Sequence, residues 1–152
     1  MPHIHEKVDF TVEVFIVYKN KVLLRMHDKH NIWLSVGGHI ELDEDPIQAA
    51  HREVKEEVGL DINISESLKI PGDENYTGLI NPKFLGMHNV NENHKHIVFV
   101  YFATSDTDKI ADSISEHERS ETCWCNKEEI EKMELRPNIK FYALEALKEL
   151  SV

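Results

Sequence analysis

Apolar residues recur along this chain in two periods, and the change from one to the other marks out its elements. Residues 10–18, Phe-Thr-Val-Glu-Val-Phe-Ile-Val-Tyr, are rich in β-branched and aromatic side chains and predict a strand. Lys19-Asn20-Lys21 supplies a tight turn, and 22–26 returns as a second strand. A short extended piece over 32–36 runs into Gly37-Gly38, where bare backbone can approach a ligand closely. From Pro46 the period lengthens. Ile47, Ala50, Val54 and Val58 form one apolar stripe of a helix over 46–58. Pro46 suits the first helical position, the acids of Asp43-Glu44-Asp45 suit its positive end, and Gly59 is the expected stop.

Beyond the helix the pattern shortens again. A brief strand is expected over 61–64, then a long polar loop over 71–81. Residues 83–90 and 96–104 read as an antiparallel pair joined through Asn91-Glu92-Asn93-His94. A polar loop over 107–117 leads to a strand over 121–125. Two helices follow, over 127–133 and 137–150, the second amphipathic through Phe141, Leu144 and Leu147. Strands on both sides of one central helix, with helices at the end, predict an α/β fold with a mixed sheet. Neither repeats nor a linker composition divides 1–152, so a single domain is expected.

Chemistry concentrates on the central helix. Glu53, Glu56 and Glu57 stand at i, i+3 and i+4, so they share one face and repel one another. That face adjoins the apolar stripe, which places the carboxylates at the rim of the core. A solvated acidic face is the ordinary reading of such a run. A hard divalent cation is the reading that explains the crowding, and Mg²⁺ is usually held by a few carboxylates together with substrate phosphates.

Residues 38–60 resemble the signature of the Nudix hydrolases, Gx5Ex7REUxEExGU with U a bulky aliphatic residue. Every fixed position is met, by Gly38, Glu44, Arg52, Glu53, Val54, Glu56, Glu57, Gly59 and Leu60. A chance match in a chain of this length has a probability on the order of 10⁻⁷. The resemblance implies an α/β/α sandwich in which the motif forms a loop-helix-loop against a mixed β-sheet. It implies hydrolysis of a diphosphate bond in a nucleoside diphosphate linked to another group, with Mg²⁺ or Mn²⁺. Carried over by position, Glu53, Glu56 and Glu57 would bind the ions, the Gly37 carbonyl would be a further ligand, and Glu53 would position or deprotonate water. Arg52 would orient a carboxylate through its planar fork, and Glu44 would close that network from before the helix. Relatives often recruit a later acid, for which Glu116, Glu118 and Glu121 are candidates, with Glu121 favoured. Many relatives carry Trp-x-x-Pro-Gly-Gly before the motif; this chain has Val36 in place of proline, which keeps the backbone extended. A non-catalytic nucleotide-binding module of the same fold is the alternative, but no motif carboxylate is missing to support it.

The bulk numbers narrow the partner. A net charge of −11 disfavours a nucleic-acid polymer as ligand and favours a small nucleotide. A nucleoside triphosphate is the first expectation. Substrate choice is expected to lie with residues 11–17, 68–81 and 89–95, with Trp33, Phe84 or Tyr101 either stacking on a base or packed in the core, and Lys19, Lys21, Arg25, Lys29, Arg52 and Lys55 as nearby cations. No apolar run reaches the ~20 residues of a membrane span, and no signal-peptide pattern opens the chain, so a cytoplasmic location is expected. Cys123 and Cys125 are expected to be free thiols. His94 and His96 are close enough to suggest metal binding, though exposed residues of a hairpin connector are the plainer expectation.

Overall fold

The computed structural model describes residues 7–27, 31–65, 69–111 and 120–152. Its centre is a parallel pair. β1 (Val8–Tyr18) and β7 (His94–Ser105) lie side by side from Val8↔Lys95 to Val17↔Thr104. On its other edge β1 pairs antiparallel with β4 (Val36–His39) near its start and with β2 (Lys21–His27) at its end. β2 continues the sheet to β3 (Ile32–Leu34) and β8 (Thr122–Cys125). The far edge of β7 holds β6 (Phe84–Asn91) and the two-residue β5 (Ile62–Asn63).

Strand alternation assigns the two faces. Val12, Val14 and Ile16 of β1, with Tyr101 and Ala103 of β7, pack under Ala49, Ala50, Val54 and Val58 of α1 (Pro46–Val58). Phe15 and Val17, with Val98, Val100 and Phe102, face α2 (Lys127–Lys132) and α3 (Pro137–Leu150) through Ile130, Ile139, Ala143, Ala146 and Leu147. The result is the expected α/β/α sandwich with a mixed sheet.

Most predicted boundaries hold to within a residue or two. Two do not. The extended piece before the glycines is two strands, because Ser35 leaves the ladder with β2 and Val36 joins β1 instead. His94 belongs to β7 and not to the connector, so only Glu92 and Asn93 turn the hairpin, beside a register shift between Asn89 and Asn91. The two cysteines also depart from expectation. Alternate positions on β8 put Cys123 and Cys125 on one face with Cα atoms 5.8 Å apart, within disulfide reach, and the structure joins them as a disulfide.

Candidate active site

The loop before α1 and the helix itself are fixed by local chemistry. Asp45 caps α1, accepting from the Gln48 N–H at 2.9 Å while the Gln48 side chain accepts from the Asp45 N–H at 2.9 Å. Gly59 ends the helix in the left-handed region at φ 72°. β4 lays Gly37 against Glu13 and Gly38 against Val12. A Cβ on Gly37 would lie 2.0 Å from the Val12 carbonyl oxygen, and one on Gly38 would lie 2.3 Å from a carboxylate oxygen of Glu53. The glycines are therefore what lets the strand seat against β1 and the Glu53 carboxylate reach the loop backbone.

The three helix carboxylates converge on that loop. Glu53 is buried, and its Oε1 accepts from Arg52 at 3.0 Å. Glu57 accepts from the Gly37 N–H at 2.8 Å and from Arg25 at 2.6 Å. Glu56 is exposed and accepts from Arg52 at 3.2 Å. Arg52 is the hub. Its fork also grips both oxygens of Glu44, at 2.6 and 2.9 Å, and donates to the His39 carbonyl at 2.9 Å. Glu44 in turn accepts from the Glu41 N–H at 2.9 Å. The network predicted around Arg52 and Glu44 is thus present.

These contacts set the protonation of the site. Burial pushes Glu53 up to about 7, with the Glu57 charge adding to it and Arg52 opposing it. Burial pushes Glu57 up to about 6 against the pull of Arg25 and the Gly37 N–H. The hydrogen bond from Arg52 holds Glu44 below its ordinary value and Arg52 itself more firmly protonated. Two crowded carboxylates that resist ionising together make a pocket suited to a divalent cation.

Glu121 is exposed at the start of β8, where its carbonyl accepts from the Met26 N–H at 2.8 Å. That places it one residue from Arg25 across the strand pair. Glu116 and Glu118 lie outside the described residues.

A cleft of about 530 Å³ opens beside the carboxylates, on the α3 face of the sheet. Glu57, Arg25, Gly37 and Gly38 form one wall, Arg136, Asn138 and Tyr142 of the α3 end another, and Glu13, His96 and Val98 the floor. Glu13 falls within the segment expected to govern substrate choice. Its Oε2 is buried without a hydrogen-bond partner, and burial pushes it up to about 7 against the pull of Arg136. An acid in a strand looks like a solvent-facing residue in sequence, so its place on the cleft floor, like that of Arg136, was not foreseen.

The expected stacking residues sit elsewhere. Tyr101 is buried under α1 with its hydroxyl donating to the Ile80 carbonyl at 3.4 Å. Phe84 packs on Phe102, Phe141 and Tyr142, and Trp33 packs on the α3-side core. Among the expected cations, Arg25 and Arg52 are held by carboxylates, Lys55 pairs with exposed Asp61 at 3.1 Å, and Lys29 lies outside the described residues.

Comparison with known proteins agrees with this architecture. The NUDIX domain family model matches residues 9–146. A crystal structure of a hydrolase of the NUDIX family from Clostridium perfringens is 37% identical, with a TM-score of 0.79, over 94% of this chain and 98% of that one. A MutT NUDIX hydrolase from Burkholderia pseudomallei (18% identical, TM-score 0.64, 96% and 100% covered) shares the fold. So does an ADP-ribose pyrophosphatase from Streptococcus suis (15%, 0.58, 93% and 90%). No curated protein sequence matches the chain. The chain belongs to the Nudix family. By class it is a pyrophosphohydrolase of nucleoside diphosphate derivatives, a family that generally works with divalent metals. Among the described residues, no helix is long and apolar enough to cross a membrane.

Proposed function

We propose that the chain hydrolyses a P–O–P bond in a small nucleotide, with a nucleoside triphosphate as first-choice substrate and Mg²⁺ as the working ion. The observation that carries the reading is the meeting of Glu53 with Gly38 and of Glu57 with Gly37 beside the cleft, with Glu56 held to the same cluster by Arg52. In this reading Glu53, Glu56 and Glu57 would hold the ion with the Gly37 carbonyl, and Glu121 is the later acid assigned to join them. A bound ion would supply charge neutralisation on the phosphates and a water of lowered pKa. Glu53 would orient the attacking water or take up its proton. Arg52, clamped by Glu44, keeps the Glu53 and Glu56 carboxylates in place and is too firmly protonated to act as a base.

Arg136 faces the cleft as a cation suited to phosphate, and Glu13 offers its carboxyl to an N–H group of the bound molecule. The net charge of −11 argues for a small ligand over a polymer. The test is release of phosphate, pyrophosphate and nucleoside monophosphate across nucleoside triphosphates, nucleotide sugars and dinucleoside polyphosphates, at equal concentration with Mg²⁺ or Mn²⁺. Preferred turnover of a nucleotide sugar or dinucleoside polyphosphate overturns the triphosphate choice. Turnover of none of them overturns the reading.

A further inference from the structure

Behind His39 and His96, which line the cleft, one carboxylate oxygen is surrounded by imidazoles. Asp9 Oδ2 lies 3.0 Å from His94 Nε2, 3.3 Å from His39 Nε2 and 4.0 Å from His96 Nε2. Asp9 is fully buried, His94 is 4% exposed and His39 8%. The register explains the meeting. Asp9 on β1 is the direct partner of His96 on β7, and His39 at the end of β4 is the partner of Thr11. Alternation turns His94 and His96 to the same face as Val98 and Val100.

A buried aspartate needs one imidazolium to balance it. Three imidazoles around a single oxygen are more than an ion pair requires, and protonating several of them would bury an excess of positive charge. Their spacing is that of ligands. Donors held at 2.0–2.1 Å about a tetrahedral ion stand ~3.3–3.4 Å apart, and Asp9 Oδ2 lies 3.0 Å and 4.0 Å from the nitrogens of His94 and His96. The rings spread edge to face and do not stack: His39 and His96 have centroids 4.9 Å apart at 83°, and His94 and His96 5.2 Å apart at 89°. The ligand atoms of Asp9, His94 and His96 all lie within 4.8 Å of one another.

We propose that Asp9, His94 and His96 form a metal site for Zn²⁺, separate from the carboxylates of α1, with its fourth position left to a water or a ligand. Imidazole donors suit Zn²⁺ where an all-oxygen set suits Mg²⁺, so the two sites sort the ions by chemistry. The ion would tie β1 and β7 together. Beside it, His39 lies 3.3 Å from Asp9 and accepts from Arg52 through its carbonyl, which links the site to the α1 network.

The test uses the full chain, stripped of metal and held in excess Mg²⁺ so that oxygen sites are filled. Added Co²⁺ is expected to bind one per chain with the strong visible absorption of nitrogen ligation, and Zn²⁺ to displace it. Zn²⁺ at about a hundred times its Kd is expected to raise Tm by roughly 5–10 °C. Both effects should be lost in Asp9→Asn and His96→Gln and kept in Glu57→Gln. Should a substitution unfold the chain, the Co²⁺ spectrum of the unaltered protein decides, since an all-oxygen site absorbs only weakly. Failure to hold Co²⁺ or Zn²⁺ against Mg²⁺ overturns the proposal. So does an absorption that survives His96→Gln and vanishes in Glu57→Gln.

Discussion

Replacing Glu13 with glutamine removes one ionisable proton from the floor of the cleft and changes little else in size. In the folded chain the carboxyl ionises at about 7, against an ordinary value of 4.5. At about 1.4 kcal/mol for each tenfold change in an ionisation constant, ionised Glu13 costs the fold up to about 3 kcal/mol. Water entry and a shift of Arg136 toward the charge reduce this to about 1–3 kcal/mol. The sign follows from which state ionises first. Below about pH 4.5 the carboxyl is protonated in both states and its stabilising contribution is intact. As pH rises toward about 7 the unfolded chain releases the proton first, so stability is lost; above that both states are ionised and the loss is complete. Glutamine has no such proton. The Glu13→Gln protein should match the parent near pH 4.5 and exceed it by roughly 3–10 °C in Tm at pH 8. Thermal unfolding from pH 4.5 to 8.5, both proteins in chelator so that Glu53 and Glu57 behave alike, gives the difference directly. Parallel curves across that range would refute the reasoning, and a variant less stable at pH 8 would show that the attraction to Arg136 outweighs burial.

Glu53→Gln and Glu57→Gln should each lower kcat by about a hundredfold or more, while the metal-free Tm is unchanged or raised as repulsion between buried carboxylates is relieved; near-normal kcat in either would remove that residue from the metal cluster. Gly38→Ala puts a methyl where the Glu53 carboxylate lies, and should cut kcat ~tenfold or more with the circular dichroism spectrum retained. Arg52→Lys loses the fork that spans Glu44, Glu53 and Glu56, so kcat should fall even though the charge is kept; equal rates would show that charge alone suffices. Excess chelator should abolish hydrolysis and Mg²⁺ restore it, and activity undiminished in chelator would defeat the metal-dependent reading.

The helix carrying the motif was legible to the residue, because Pro46, the apolar stripe and Gly59 are local signals that nothing distant contradicts. Local signals also placed the β6–β7 hairpin and α3. What could not be read was which strands distant in sequence become neighbours. Nothing in residues 8–18 announces that they lie parallel to residues 95–104, so the convergence of Asp9 with His94 and His96, and of Glu13 with Arg136, stayed hidden. His94 looked like a turn residue because Asn-Glu-Asn precedes it, yet it is buried in the ladder. Arg25 shows the same limit. It is an ordinary basic residue of a strand until β2 brings it to Glu57.

The parallel pairing of β1 with β7 bears on how the chain comes to be folded. Partners such as Val8 and Lys95 are separated by roughly 90 residues, so this contact is slow to form by diffusion and late to become available. On a ribosome adding ~5–20 residues each second, β1 waits about 5–20 s for β7 to emerge. During that interval β2 and β4 can occupy one edge of β1, while the other, with its run Val-Phe-Ile-Val, remains open to any passing strand. A nascent chain halted before β7 would carry the whole catalytic motif on a sheet open along its middle, a species for chaperones to hold and for proteases to find.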